Sequence, residues 1–470
     1  AEPPPRVAGR WLVFTAVLIA DVMDLVDSTI TNVGGPTIRA DLGGGQPLLQ
    51  WLAAAYTLAF AVFLITGSRL GDLFGRRRLF LIGAAGFITM SALCSLAWSP
   101  GSLIALRVLQ GSFGALMIPQ GFGMMTEIFQ DDEMAKVFGV FGPVMGLSSV
   151  VGPILGALLI DANLFDTGWR LVFLINVPLG LIALYFGWRH MPRNVVAPGG
   201  GIDPVGMLLI GAASLGLIYP LIEGREKGWP AWTFVILALG VVIAVGFVLW
   251  ERRRPTDNAL VQFSLLKNVS FTSSMAVAVF FFAAVSGIML VLALFWQVGE
   301  GRTPIQSAVA LAPLSIGMVI GMIASFALIE KLGRKLVQIG MVVTALGLLA
   351  MAASIHGSQH PSAWTLVPAV ALVGAGMGQV FGQLFDVALA SLSEHEVGSA
   401  TGVLNALQQL SFSFGVAAVG TLFFDLLDVP HLPSDALAIT ALVSIIPLAF
   451  SFVLAFRLPA KPRPEGAGAH

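Results

Sequence analysis

Residues 11–33 read WLVFTAVLIADVMDLVDSTITNV, an apolar run long enough to cross a bilayer that nevertheless carries Asp21, Asp24 and Asp27. On a membrane-insertion scale each carboxylate near a helix centre costs about 2.5–3.5 kcal/mol, so the three cost roughly 8–10 kcal/mol. The eleven Leu, Ile, Val and Phe residues of the run return only about 0.3–0.6 kcal/mol each. We therefore expect this helix to face protein partners or water, and acids placed in this way indicate a functional site.

The composition is that of an integral membrane protein. The chain is 57% hydrophobic and only 11% charged over 470 residues, and its net charge of −1 gives no case for a nucleic-acid partner. The single cysteine, Cys94, excludes an internal disulfide, and the six histidines fall near the ends of apolar runs, so we expect no metal or haem site. The first apolar run is too long for a cleavable signal peptide and lacks a small-residue cleavage site.

Apolar runs of about 20 residues predict fourteen membrane-spanning helices, which place both termini on one side. Nineteen Lys and Arg residues fall on that side and five on the other, so the positive-inside bias predicts cytoplasmic termini. The predicted helices lie near 11–33, 49–68, 79–98, 102–127, 137–160, 169–190, 204–222, 231–250, 270–297, 306–329, 335–354, 364–392, 401–424 and 436–457.

The chain repeats itself weakly. The segment Asp72-Leu-Phe-Gly75-Arg76-Arg77 after the second helix matches Glu330-Lys-Leu-Gly333-Arg334-Lys335 after the tenth. Helix 5 matches helix 13 in the same way, through Gly139-Val140 and Gly402-Val403. We predict an all-α polytopic membrane protein of two six-helix bundles plus two inserted helices. The N-terminal bundle is predicted at 1–197 and the C-terminal bundle at 269–470. The inserted helices and a cytoplasmic linker are predicted at 198–268. Paired halves around a central site are a known transporter plan.

The turn after the second helix has a recognisable sequence. The stretch Ser68-Arg-Leu-Gly-Asp72-Leu-Phe-Gly75-Arg76-Arg77-Arg78 resembles the loop 2–3 signature of the major facilitator superfamily. The chain departs from that signature at Ser68, where the family has Gly, and at Leu73, where it has Arg. The resemblance implies a gating role for Asp72, Gly75, Arg76 and Arg77 and for their counterparts Glu330, Gly333 and Arg334. Ordinary positive-inside anchoring is the alternative, but it does not account for the recurrence of the acid and the glycine.

The fourth helix contains an arginine. The stretch Arg107-Val-Leu-Gln110-Gly111-Ser-Phe-Gly114 resembles the intramembrane Arg-x-x-Gln-Gly motif of the same superfamily. Arginine keeps its proton, so it must find an acid or backbone carbonyls unless it snorkels to the interface. Helices 1 and 4 run in opposite directions, and Arg107 and Asp27 lie at similar distances from the outer ends of their helices. We therefore predict that these two residues interact.

Three further stretches narrow the resemblance. Gly146, Gly152-Pro153 and Gly156 in helix 5 resemble the antiporter motif of the exporting subfamilies, although glycines and a proline are common in membrane helices. The stretches from Val26 to Pro36 and from Trp169 to Gly180 resemble the helix 1 signature and helix 6 entry of the fourteen-helix drug:proton antiporters. Asp27 falls on the signature position of helix 1, whereas Asp21 and Asp24 do not.

Weaker candidates remain. Glu127 and Asp386 lie near the cytoplasmic ends of helices 4 and 12 and either form a pair of inner-gate acids or are simply water-exposed. Five polar residues either line a cavity or bond neighbouring helices, namely Asn32, Gln110, Gln297, Asn405 and Gln408.

The three acids of helix 1 are neighbours on one helix, so desolvation and mutual repulsion favour retention of at least one proton. The resemblance implies a proton-coupled antiporter that exports lipophilic, cationic drugs, antibiotics or metabolites by alternating access. A proton-coupled uptake symporter is the alternative, and a non-transporting membrane sensor or an enzyme is disfavoured by the paired halves and the absence of a catalytic constellation. We expect a monomer in the bacterial cytoplasmic membrane, surrounded by lipids and driven by the proton gradient without a cofactor.

Overall fold

The computed structural model describes residues 9–192, 203–254, 260–261, 263–389, 392, 394–428 and 432–459, and all regular secondary structure in these ranges is helical. Fourteen long helices follow one another along the described chain. They are α1 (Arg10–Leu42), α2 (Pro47–Phe74), α3 (Arg76–Ser95), α4 (Pro100–Ile128), α5 (Asp131–Ala162), α6 (Asn176–His190), α7 (Pro204–Glu226), α8 (Ala231–Glu251), α9 (Val269–Leu294), α10 (Pro304–Leu332), α11 (Arg334–Ile355), α12 (Ala363–Leu389), α13 (Glu394–Asp428) and α14 (Pro433–Leu454).

The predicted end of the first helix at residue 33 is wrong, because α1 continues to Leu42 with Pro36 inside it. The Gly34-Gly35 pair serves close packing rather than termination. A Cβ added to Gly34 would lie 3.3 Å from the side chain of Ile160 on α5, and one added to Gly35 would lie 3.2 Å from Leu49 on α2. The neighbouring helices therefore support a helical backbone beyond the predicted end near residue 33.

Thirteen helices within the described ranges are long and apolar enough to cross a membrane. The exception among the long helices is α1. It is 33 residues long, but with its three aspartates it is not among the helices apolar enough to cross a membrane. The fourteenth span therefore stays a prediction. The sixth span begins before α6, with a 3-10 turn at Gly168–Arg170 and a short helix at Leu171–Leu174.

The two halves of the chain use the same helix pairings. In the first half, α1 packs on α5 and α6, α2 on α4, and α3 on α4 and α6. In the second half, α9 packs on α13 and α14, α10 on α12, and α11 on α12 and α14. These are the same five pairings shifted by eight helices, as expected for two copies of one bundle separated by two inserted helices.

The chain forms two compact units. One contains the residues up to Gly216 together with Val235–Leu260, and the other contains Leu217–Phe234 together with the residues from Val261 onward. The unit boundaries fall within α7 and α8, and the predicted division at 1–197, 198–268 and 269–470 stays a prediction.

Candidate functional site

A buried ion pair joins α1 to α4. Arg107 Nη1 donates a hydrogen bond to Asp27 Oδ2, and the two side chains are 0% and 1% exposed. Because an isolated charge is costly inside a helical bundle, each group depends on the other for neutralisation. The structure therefore brings together the two residues for which the sequence predicts a common depth.

Two amides contact the other oxygen of Asp27. Asp27 Oδ1 accepts from Gln110 Nε2 at 2.9 Å and from Asn176 Nδ2 at 2.7 Å. Arg107 Nη1 also donates to Gln110 Oε1 at 2.8 Å, so one amide contacts both members of the ion pair. Donors from α4 and α6 thus converge on the carboxylate of α1 and use most of its capacity to accept hydrogen bonds.

Ser91 adds α3 to this cluster. Asn176 Nδ2 donates to the Ser91 hydroxyl at 2.9 Å, and that hydroxyl donates to the backbone oxygen of Phe173 at 2.9 Å. Gln110 Nε2 lies 3.3 Å from the same hydroxyl oxygen. One hydrogen-bond network therefore connects α1, α3, α4 and α6, and such a network fixes the side chains that belong to it.

Arg107 has additional contacts with aromatic rings. Its guanidinium carbon lies 4.3 Å from the centre of the Tyr56 ring and 5.8 Å from that of Phe173, and its Nε donates to Leu52 O at 3.3 Å. Within the described chain, Arg107 Nη2 and Asn176 Oδ1 are buried without a hydrogen-bond partner. Buried polar groups normally have partners, so each of these two atoms keeps an unused capacity for a hydrogen bond.

The other two acids of α1 have different surroundings. The Tyr56 hydroxyl donates a hydrogen bond to Asp24 Oδ1. Asp21 is buried, and its Oδ2 has no hydrogen-bond partner among the residues that the structure describes. Asp27 thus belongs to a network, Asp24 has one hydroxyl partner, and Asp21 has an unpaired oxygen.

A second cluster surrounds the turn between α2 and α3. Gly75 adopts a φ of 95°, which glycine allows, and its N–H donates to Gly71 O at 2.9 Å. Arg76 then pairs with Asp72 at 3.0 Å and with Glu127 at 3.3 Å. Both acids are about half exposed, so these ion pairs contribute little to stability and are suited to being broken and remade. Glu127 therefore belongs to the same ion-pair cluster as Asp72 and Arg76, and the gating role stays a prediction.

Arg77 ties this turn to the end of α6, because its Nη2 donates to Trp188 O at 2.6 Å. The equivalent turn of the second half contains Gly333, with a φ of 49°, and Arg334, whose Nη1 donates to Phe456 O at 2.9 Å and to Leu458 O at 3.0 Å. Each turn is thus tied to the chain at the end of the last helix of its own half. The side chain of Glu330 lies outside the described residues.

The glycine motif of α5 packs against α1 close to Asp27. A Cβ added to Gly152 would lie 2.9 Å from Thr29 Oγ1 and 3.5 Å from a methyl group of Val26. Gly156 is buried, and Gly146 and Pro153 are half-buried on the same helix. Gly152 therefore allows α5 to approach the two residues that flank Asp27.

The remaining candidates are dispersed in the structure. Asp386 is exposed near the end of α12, and Asn405 and Gln408 are half-buried on α13. Gln297 lies in a π-helical turn that follows α9, where its Nε2 is 3.5 Å from Ser307 Oγ. The side chain of Asn32 lies outside the described part of the chain. The pairing of inner-gate acids and the cavity-lining roles stay predictions.

At the far end of α1, Asp41 accepts hydrogen bonds from Trp169 Nε1 at 2.9 Å and from Arg170 Nη1 at 2.8 Å. The indole hydrogen bond, together with the guanidinium of Arg170, lowers the pKa of Asp41 below its usual value. Trp169 and Arg170 begin the stretch that resembles the helix 6 entry of the antiporters, and their role here is to hold the tip of α1.

A family model of the Major Facilitator Superfamily matches residues 17–204 and 199–416. The chain belongs to this superfamily. Solved structures agree on the predicted fold: a bacterial homologue of the human lysosomal transporter Spinster superposes with a TM-score of 0.67 at 16% identity, covering 97% of this chain and 98% of that one. A D-xylose–proton symporter superposes with a TM-score of 0.64 at 14% identity, covering 98% and 99%.

Relatives within the superfamily have names that refer to antibiotics or to multidrug transport. The chain is 47% identical over 432 residues to the probable actinorhodin transporter of Streptomyces coelicolor, covering 91% of this chain and 75% of that protein. It is 33% identical over 427 residues to the tetracenomycin C resistance and export protein of Streptomyces glaucescens, covering 89% and 77%. It is 30% identical over 419 residues to the multidrug transporter protein MdtP of Bacillus subtilis, covering 88% and 75%.

Two members of the cluster in this superfamily protein were not found by sequence reasoning. Ser91 carries no signal, because hydroxyls in apolar helices usually bond to their own backbone. Tyr56 carries a weak signal, because it is one of only three tyrosines in the chain and lies inside an apolar run. Asn176 lies within the stretch from Trp169 to Gly180, and an amide in the middle of an apolar run already indicates a buried hydrogen bond.

Proposed function

We propose that this superfamily member is a proton-driven antiporter of the fourteen-helix drug:proton branch, which exports lipophilic, cationic antibiotics or related small molecules from the cytoplasm. The observation that carries the proposal is the Asp27–Arg107 pair, buried within one bundle and held by amides from α4 and α6. The relatives named for actinorhodin transport and for tetracenomycin C resistance and export support an antibiotic as substrate, and the second name supports export.

The chemistry of Asp27 suits both a proton and a cationic substrate. In the observed arrangement Arg107 neutralises the carboxylate. A proton on Asp27 removes its charge and frees Arg107, whereas a cationic substrate takes the place of Arg107 as counter-charge. Only one of these partners can neutralise the carboxylate at a time, and this competition is the basis of proton-for-drug exchange.

Asp21 and Asp24 extend the same argument along α1. A buried carboxylate without a partner is costly to keep charged, so the unpaired Oδ2 of Asp21 is suited to carrying a proton. The three acids lie on one helix, so their protons are shared among them as a cluster. In the outward-open state protons load and displace substrate, and in the inward-open state protons leave and substrate enters.

The turn of Gly75 is proposed to control access from the cytoplasm. Arg76 pairs with acids on α2 and α4, and breaking these half-exposed ion pairs costs little free energy. We further propose that the chain acts as a monomer in the bacterial plasma membrane, with both termini in the cytoplasm and without a cofactor.

Proteoliposomes test the proposal directly. We expect ethidium to accumulate in liposomes with an acidic interior, because outward proton flow drives inward movement of the dye. Nigericin, which collapses the proton gradient, and the Asp27→Asn variant should abolish accumulation. Accumulation only when the gradient is reversed would identify a symporter, and equal dye levels with and without the gradient, for ethidium and for puromycin, would contradict transport coupled to protons.

A further inference from the structure

Tyr56 lies between two charged groups of the candidate site. Its hydroxyl donates a hydrogen bond to Asp24, and its ring faces the guanidinium of Arg107 at 4.3 Å. The side chain is 1% exposed, so both contacts are shielded from water. A tyrosine placed in this way contacts one acid through its polar end and the counter-ion of another acid through its aromatic face.

Two glycines of α4 make room for this tyrosine. A Cβ added to Gly111 would lie 2.4 Å from the backbone oxygen of Tyr56, and one added to Gly114 would lie 3.0 Å from its hydroxyl oxygen. The first contact cannot be relieved by moving a side chain, because it is made to the backbone. The glycines of the Arg107-x-x-Gln-Gly-x-x-Gly motif therefore let α4 approach Tyr56, while Arg107 of the same motif covers its ring.

We propose that Tyr56 is a positioning residue that couples Asp24 to the Asp27–Arg107 pair. This inference rests on the proposed function and adds a residue to it. When Asp24 takes up a proton from water, its oxygens become weaker acceptors, and the Tyr56 hydroxyl loses its charge-assisted hydrogen bond. The ring is then free to move beneath Arg107, so a proton on one acid changes how the counter-ion of the other acid is held.

Several charged and titratable groups around Asp24 can influence whether it carries a proton. Tyr56 faces it from α2, Arg107 from α4, and Asp21 and Asp27 from its own helix. The buried thiol of Cys94 on α3 lies near Gln110 in the same network, with its sulfur 3.8 Å from the amide oxygen. Of these groups, Tyr56 alone contacts both Asp24 and Arg107 in the described contacts.

Infrared spectroscopy of the purified full chain tests the coupling without substrate or gradient. The band of protonated carboxyl groups is followed as a function of pH in the wild type, in Tyr56→Phe and in Tyr185→Phe. Tyr185 is the matched control, because it is 57% exposed and lies on α6 away from the acids. Tyr56→Phe keeps the ring and removes the hydrogen bond to the charged form of Asp24. We expect its titration midpoint to move upward by about one to two pH units, with no shift in Tyr185→Phe.

A second variant identifies the acid. Asp24→Asn should remove one step from the wild-type titration, and adding Tyr56→Phe to it should cause no further shift, because the two residues act through one contact. An unshifted midpoint in Tyr56→Phe overturns the proposal, as does an equal shift in the Asp24→Asn background. If Tyr56→Phe does not fold, Asp24→Asn alone decides. The proposal is then overturned if Asp24→Asn keeps every titration step of the wild type.

Transport separates this inference from the function on which it rests. In proteoliposomes, Tyr56→Phe should accumulate ethidium with its pH optimum moved upward, whereas Tyr56→Leu, which also removes the ring beneath Arg107, should lose accumulation. Absence of transport in the wild type with a shifted infrared midpoint overturns the proposed function and leaves the coupling intact. Normal wild-type transport with an unshifted midpoint overturns the coupling alone.

Discussion

Gln110 contacts Asp27 and Arg107 at the same time: its Nε2 donates to Asp27 Oδ1 at 2.9 Å, and its Oε1 accepts from Arg107 Nη1 at 2.8 Å. The three-residue spacing from Arg107 places both side chains on one face of α4. The amide therefore fixes the distance between the two charges.

Gln110→Leu should weaken this arrangement, because it removes a donor from Asp27 and an acceptor from Arg107. Hydrogen bonds to charged groups contribute about 1.5–3 kcal/mol each, so we expect proton-driven ethidium accumulation to fall at least tenfold. Gln306→Leu is the control, since Gln306 is exposed and bonds to the nearby Thr303. Ethidium accumulation at the wild-type level in Gln110→Leu would contradict a role for the Gln110 amide in joining Asp27 to Arg107.

The Asp27–Arg107 pair should behave as one unit in stability measurements. Asp27→Asn or Arg107→Gln alone leaves a buried charge without its partner and should cost about 3–5 kcal/mol, whereas the double variant should recover part of that loss. Melting temperatures in detergent measure the effect. The exposed pair Asp41→Asn and Arg170→Gln is the matched control, and a strictly additive loss in the buried pair would argue against the contact.

Gly152→Ala should push α5 away from α1, because its new methyl group would lie 2.9 Å from Thr29 Oγ1. Overpacking of this kind costs about 1–3 kcal/mol. Gly139→Ala on the same helix is the control, since a Cβ there meets no atom within 4 Å among the described residues. Adding Thr29→Ala should restore the melting temperature and transport of Gly152→Ala. If it does not, the new methyl group does not clash with Thr29.

Gly123→Ala should reproduce the effect of losing Arg76 without changing any charge. A Cβ at this position would coincide with Arg76 Nη1, at 1.3 Å, so the guanidinium must leave its two acids. Because these ion pairs are half exposed, we expect stability to change by less than about 1 kcal/mol, while the transport rate falls as in Arg76→Gln. Arg78→Gln, an exposed neighbour, is the control. A transport rate like that of the wild type in Gly123→Ala would remove Arg76 from the gate.

The Asp41 contact makes a prediction about pH. The folded-state pKa of Asp41 is lowered, so the stability that it contributes is present above its unfolded value of 3.8 and is lost only as the pH falls through the folded value. Asp41→Asn should therefore lower stability by the same small amount, about 0.2–1 kcal/mol, at every pH from roughly 5.5 to 8. Thermal melting across that range checks this, and a difference that grows or shrinks between those limits would contradict it.

The Asp27–Arg107 contact is predictable from the sequence for a physical reason. Arg107 cannot lose its proton, Asp27 is an acid in an apolar run, and opposite helix directions place them at one depth. The role of Ser91 is not predictable, because Ser112 has the same chemistry yet donates to Val108 O of its own helix at 2.8 Å. Ser91 instead donates across to Phe173, and only the packing of α3 against the sixth span decides between these outcomes.

Backbone signals failed where packing overrides them. The helix predicted near 11–33 in fact continues through Gly34, Gly35 and Pro36, because α5 packs against Gly34 and α2 against Gly35. Gly75 and Gly333 are also glycines next to helix ends, and there the chain does turn, with positive φ angles. At these two positions the positive φ ends one helix, and the next helix begins at once with Arg76 or Arg334.

Because α1 is long, a small tilt about Asp27 moves its end by a large distance. At about 1.5 Å per residue, its 33 residues extend for about 50 Å, which exceeds the roughly 30 Å of a hydrocarbon core. Asp41 lies about 21 Å along the axis from Asp27, so a tilt of about 5° around Asp27 moves the tip by nearly 2 Å. A displacement of that size is enough to break the 2.8 Å contact between Asp41 and Arg170. The Asp41–Arg170 contact therefore reports on small tilts of α1 about Asp27.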